Sequence, residues 1–127
     1  MVHVIVGGKH GHVAGSSRAW RLEVNSEPTD ALYRPSVNAL FASVERCGAR
    51  ALGVVLTGMG DDGAQGARSV RGRGGVVLCQ DAESCVVYGM PRAVVEAGLC
   101  DGAGTPEALG RAVRAMGGDA RSGRAAA

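Results

Sequence analysis

Aromatic residues are nearly absent from this 127-residue chain, which has one Trp, two Tyr and one Phe. So few rings cannot supply the stacking platforms on which single-stranded nucleic acids are bound. The net charge of +2 is too small to read phosphates or to hold an anionic membrane surface. Neither nucleic acid nor membrane insertion is therefore expected, and no apolar run approaches the roughly 20 residues that span a bilayer. Met1 to Val6 (MVHVIV) has no basic stretch and no long apolar core, so no export signal is expected. The four cysteines, Cys47, Cys79, Cys85 and Cys100, form no C-x-x-C pair. Without an export signal they are expected as reduced thiols in a cytoplasmic protein. There is also no G-x-S-x-G, which excludes the usual nucleophile elbow of α/β-hydrolases. No cofactor is expected.

What is present suits a single domain. A hydrophobic content of 46% permits a real core, and 21 glycines suit tight turns and close backbone packing. The stretch Gly53 to Asp62 (GVVLTGMGDD) organises the rest. Val54, Val55 and Leu56 form a short β-branched run that predicts a buried parallel strand. Gly58 and Gly60 allow a sharp turn, and Gly63 to Arg68 opens a helix. Asp61 and Asp62 thus fall at the carboxyl end of a strand and the amino end of a helix, the edge where open α/β sheets bind ligands.

Around this centre the pattern predicts further elements. Val2, Val4 and Val6 alternate as in a strand, ended by Gly7-Gly8. Trp20 to Val24 alternates as a half-exposed strand, with Gly15-Ser16-Ser17 as the connecting turn. His10 and His12, two apart, suit either a metal or a solvated strand end. A helix is predicted after Ser36, its N-cap, with Val37, Leu40, Phe41 and Val44 on one stripe and an end near Cys47-Gly48. Val76 to Cys79 reads as a second buried strand. The loop Gln80 to Ser84 should line the same crevice as Asp62. Pro91 opens a helix that stops at Gly98, Leu99 to Asp101 forms a last short strand, and Pro106 to Met116 a last helix. Residues 117–127 have little to bury and are expected to be a disordered tail.

LTGMGDDGAQG, GGVVLCQDAESCVVYGMPRAVVEAGLCD, YRPSVNALFASV (Tyr33 to Val44) and GGKH (Gly7 to His10) together resemble the CheB-type protein-glutamate methylesterase domain of bacterial chemotaxis. The resemblance runs roughly from Val4 to Asp101, and four separated blocks agree in order. It implies a Rossmann-like α/β fold, a parallel sheet with flanking helices plus a small β-hairpin. Residues 1–116 would form part of the catalytic domain, with the amino-terminal strands of the family missing. The implied activity is hydrolysis of glutamate methyl esters, and deamidation of glutamines, on the cytoplasmic helices of methyl-accepting chemoreceptors. A receiver domain is a further expected partner in the parent protein.

The resemblance makes Asp62 the carboxylate of a Ser-His-Asp triad and the Met59 N–H a candidate oxyanion donor. Gly58, Gly60, Asp61 and Ser84 are candidate site-lining residues, and no metal is expected. Asp61 stands where the family often has Asn, and Asn38 where it usually has Asp. The family's Ser and His precede the region matched here, so a fragment inactive alone is expected. From spacing alone, Asp62 could equally be the N-cap of the helix that follows it. A helix amino terminus favours an anionic carboxylate in either case. Ser84-Cys85 is weighed as a nucleophile and set aside, because no His follows it. The alternatives to an enzyme are a non-catalytic remnant that binds a receptor and a small-ligand module built on the GMGDD loop.

Overall fold

The computed structural model describes residues 1–126, and side chains through residue 117. In chain order the elements are β1 (His10–Ser16), β2 (Ala19–Asn25), α1 (Val37–Cys47), β3 (Leu52–Val55), α2 (Ala64–Gly72), β4 (Val76–Gln80), α3 (Met90–Glu96), β5 (Gly102–Gly104) and α4 (Pro106–Ala126). β3, β4 and β5 form a parallel sheet in that order, with Val55 beside Cys79 and Cys79 beside Ala103. β1 and β2 form a separate antiparallel hairpin. The α/β class, the parallel sheet with flanking helices and the hairpin are all as expected.

The core lies where the β-branched runs place it. Val55, Val77 and Cys79 from the sheet meet Ala67, Val70 and Val94 from α2 and α3, all essentially inaccessible to water. Each such valine stabilises the fold by about 1.5 kcal/mol or more relative to an exposed one. α1 closes over this core with Phe41 and Val44 buried and Val37 and Leu40 partly so. Ser36 caps α1 as predicted, in an extended conformation, its hydroxyl accepting the Ala39 N–H at 3.3 Å. Gly48, at φ 73°, ends it in the left-handed conformation that glycine adopts without a Cβ penalty.

Helices α1 and α2 cross at very close range. A Cβ added to Gly66 would stand 2.7 Å from Phe41 Cβ and 3.0 Å from Asn38 Cα. Only glycine lets the two backbones approach that far. This contact brings the amino ends of both helices together beneath the GMGDD loop.

Several expectations are corrected. Val2 to Val6 is not a strand: Val2 and Val4 are 90% and 92% exposed, and the first strand starts at His10. Alternation makes a strand only where a neighbour takes up the backbone donors and acceptors, and among the described residues none pairs there. The hairpin turn falls at Ser17-Arg18, since Ser16 pairs with Ala19. The last strand lies at Gly102–Gly104, just beyond Leu99 to Asp101. There the Asp101 N–H donates to Val77 O at 2.8 Å, while its carboxylate accepts the Val77 N–H at 2.8 Å. Helix α4 runs from Pro106 to Ala126, past Met116, where the last helix was expected to end and a disordered tail to begin.

Candidate active site

The turn after β3 is held from two sides. Gly58 N–H donates to Val87 O at 3.1 Å, and Gly58 O accepts from the N–H groups of Gly89 and Met90 at 3.1 and 2.9 Å. A side chain at Gly58 would collide with the Met90 sulfur. Gly60 adopts φ 92°, and a Cβ there would lie 2.6 Å from the Tyr33 hydroxyl. Glycine is thus favoured at Gly60 by its left-handed conformation and at Gly58 by close approach to Met90. Between them Met59 projects into solvent, 76% exposed, and its N–H has no acceptor among the described residues.

Asp62 is buried, 6% exposed. Its carboxylate is held at the amino end of α1, not at that of α2. Oδ1 accepts the Ser36 hydroxyl and the Asn38 N–H, each at 3.0 Å. Oδ2 accepts the Val37 N–H at 2.6 Å. The N-cap of α2 is Gly63, which offers no side chain. The reading of Asp62 as cap of the following helix is therefore corrected: the chain folds so that its carboxylate serves the preceding one. A carboxylate offers about four acceptor positions, and three are filled. The remaining one belongs to Oδ2.

α2 receives its own cap from α1. Asn38 Oδ1 accepts the N–H groups of Gly63 at 3.0 Å and Gly66 at 2.7 Å. The two helices exchange caps, each satisfying orphan donors of the other. The sequence pattern assigns Asn38 no role. A short polar acceptor just inside a helix start was the available signal. Asp61, next to Asp62, is exposed and takes no side-chain hydrogen bond from the described residues.

A cleft of about 630 Å³ opens beside Asp62, walled by Tyr33, Ser36, Ala39, Ala42 and Pro28, with Asp61 at its rim. His12 contributes to one wall, and His10 lies fully buried behind it. His10 is fully buried, its Nε2 donating to Pro28 O at 2.9 Å and its Nδ1 accepting the Ser36 N–H at 3.0 Å. His12 Nε2 donates to Glu27 O at 2.9 Å, and the Arg46 guanidinium donates to its Nδ1 at 3.4 Å. Both rings clamp the 27–28 loop, so for His10 neither a metal ligand nor a solvated strand end describes the position.

A Ser, a His and an Asp do meet here, yet they do not form a nucleophilic triad. In a triad the imidazole accepts the hydroxyl proton and the carboxylate holds the other ring nitrogen. Here the Ser36 hydroxyl donates straight to Asp62, and His10 touches only the Ser36 backbone.

Ser84 is not among the residues walling the cleft. Its N–H and hydroxyl both bond to the Asp81 carboxylate. Its carbonyl accepts from Gln80 Nε2 at 2.9 Å, while Gln80 Oε1 accepts the Thr57 N–H at 2.8 Å. The 80–84 loop thus braces the base of the GMGDD turn. The Cys85 thiol lies against the Gln80 carbonyl at 3.8 Å. Burial, reinforced by a hydrogen bond with the Cys100 thiol, pushes the Cys79 thiol up to about 12, so it remains a protonated, unreactive core group.

A parallel sheet with a fixed carboxylate beyond its carboxyl edge is the arrangement of an α/β enzyme domain, and the comparisons narrow it further. The family model for CheB methylesterase matches residues 1–113, and the chain belongs to that family. The protein-glutamate methylesterase/protein-glutamine glutaminase 1 of Oleidesulfovibrio alaskensis is 48% identical over 100 residues, 78% of this chain and 27% of that protein. The corresponding protein 2 of Albidiferax ferrireducens is 52% identical over 93 residues, 72% of this chain and 27% of its own. The crystal structure of the Thermotoga maritima CheB methylesterase catalytic domain superposes with a TM-score of 0.70 at 32% identity, covering 78% of this chain and 53% of that one. The chain thus spans about a quarter of the length of these curated relatives. No described helix is long and apolar enough to cross a membrane.

Proposed function

We propose that this chain carries the carboxylate side of a serine-esterase site that hydrolyses glutamate methyl esters, and deamidates glutamines, on the cytoplasmic helices of chemoreceptors. The observation that carries this reading is the one open acceptor position of Asp62 Oδ2, on a buried carboxylate otherwise fixed by three donors. That position would receive the Nδ1–H of an imidazole supplied by the part of the domain that the relatives have and this chain does not match. The imidazole would take the proton of a Ser hydroxyl as its oxygen attacks the ester carbonyl. The N–H of Met59, which has no acceptor among the described residues, would donate to the oxygen that becomes negative. Collapse of the intermediate expels methanol, or ammonia from a glutamine, with the proton returned by the imidazole. Water then frees glutamate from the acyl-enzyme by the same route reversed.

These 127 residues alone would be inactive, because no hydroxyl beside Asp62 is paired with an imidazole as a nucleophile must be. In the parent protein a receiver domain would regulate the site, in the cytoplasm. The test joins this chain to the amino-terminal part of a relative's catalytic domain and measures methanol released from methylated receptor. Release from the joined protein, and none from the 127 residues, is expected. Release from the short chain unaided, or none from the joined protein, overturns the proposal.

A further inference from the structure

We infer that His10 is a positioning residue for Asp62, acting through the first turn of α1; this rests on the role given above to Asp62. His10 lies in β1, yet it is fully buried and bonded at both ring nitrogens. A backbone amide can only donate and a carbonyl can only accept. The ring is therefore neutral, with its proton on Nε2 toward Pro28 O and its lone pair on Nδ1 toward the Ser36 N–H. The Ser36 amide precedes the helix and has no helical acceptor, so among the described residues His10 alone satisfies it.

That bond fixes the extended conformation of Ser36, φ −105° and ψ 130°. The same conformation lets the Ser36 hydroxyl accept from Ala39 while donating to Asp62 Oδ1. It also aims the Val37 and Asn38 amides at the two carboxylate oxygens. Every donor that orients Asp62 thus comes from residues 36–38, and the segment enters that turn pinned by one imidazole nitrogen. Misplacing a catalytic group by about 1 Å can cost on the order of 100-fold in rate.

Two substitutions separate the ring nitrogens. Asn places its side-chain oxygen near the position of Nδ1 and can still accept the Ser36 N–H. Gln reaches the position of Nε2 and can still donate to Pro28 O, but leaves the Ser36 amide unpaired. In the joined enzyme, His10→Gln is expected to lower kcat by about 100-fold with KM unchanged, the effect of a catalytic group misplaced by about 1 Å. His10→Asn is expected to lower it by less than about tenfold.

Hydrogen exchange supplies a readout that needs no turnover. The Val37 and Asn38 amides should exchange faster in His10→Gln than in His10→Asn, with β4 amides equally protected in both. A joined wild-type enzyme without activity would sink the proposed function and leave the exchange pattern to decide on His10. Equal kinetic losses in the two variants, unchanged exchange in His10→Gln, or loss of β4 protection along with that of α1 would each overturn the positioning role.

Discussion

The amino ends of α1 and α2 lie against each other and are capped by opposite means. α1 turns a hydroxyl and two amides on a carboxylate, Asp62, that lies 25 residues beyond its first residue. α2 turns two amides on a neutral carboxamide, Asn38, taken from α1. Either kind of acceptor caps a helix almost equally well, since Asn and Asp rank together at such positions. Stability alone therefore gives no reason for a charge at one terminus and none at the other. The difference lies in what remains over. Asn38 Oδ1 has both its positions filled, whereas Asp62 retains one open acceptor position beside the cleft. One terminus is a finished structural joint, and the other is a joint with a spare valence.

Replacing the charge breaks this comparison most sharply. Asp62→Asn in the joined enzyme should lower kcat by on the order of 10³ to 10⁴, the loss seen when the carboxylate of a serine-protease triad is made an amide. The amide also turns an NH₂ toward a helix donor, costing about 1–3 kcal/mol. A domain with about 5–15 kcal/mol of stability remains folded after that loss, so unfolding cannot account for the kinetic effect. Initial rates and a thermal melt on the same sample make the check. A variant that melts earlier but turns over normally would reduce Asp62 to a cap.

Asn38→Ala tests the other terminus. It leaves the Gly63 and Gly66 amides without an acceptor, and a loss of about 1–3 kcal/mol is expected, read as a lower denaturant midpoint at unchanged slope. Asn38→Asp, the residue usual in the family, keeps an oxygen in place and should cost less. An equal loss from the two would mean that an acceptor oxygen at this position is not what holds α2.

How much of this was legible in the sequence follows from the range of the forces involved. The stripe Val37, Leu40, Phe41, Val44 and the runs at Val54 and Val76 announced their elements, because the neighbours that bury them repeat at the period of the element itself. The Ser36 cap and the Gly48 end were legible for the same local reason. Asp62 stood out through its setting between strand and helix and through the family blocks around it. Its cap role pointed to the wrong helix, because the choice between α1 and α2 depends on how closely two distant segments cross, and the Gly66 contact that decides it leaves no periodic trace. His10 and Asn38 escaped for the same reason. Each acts through a single hydrogen bond or a pair of them to a backbone about 25 residues away. Val2 to Val6 misled because alternation reports a possible face and says nothing of the partner strand.

The smallest expected effect comes from the residue most like Asp62. Asp61 differs from it by one position, but its side chain is exposed and takes no hydrogen bond from the described residues. Its backbone carbonyl accepts the Ala64 N–H at 3.2 Å, a bond that any residue can make. Asp61→Asn should change stability by no more than about 0.5 kcal/mol, as for an ordinary surface substitution. Turnover should change by less than about threefold, the same free energy expressed as a rate. Measured beside Asp62→Asn in one assay, the pair asks which of two adjacent carboxylates the chemistry uses. A large loss for Asp61→Asn with Asp62→Asn tolerated would move the triad carboxylate to the rim of the cleft. The three donors gathered on Asp62 would then be no more than the cap of a helix.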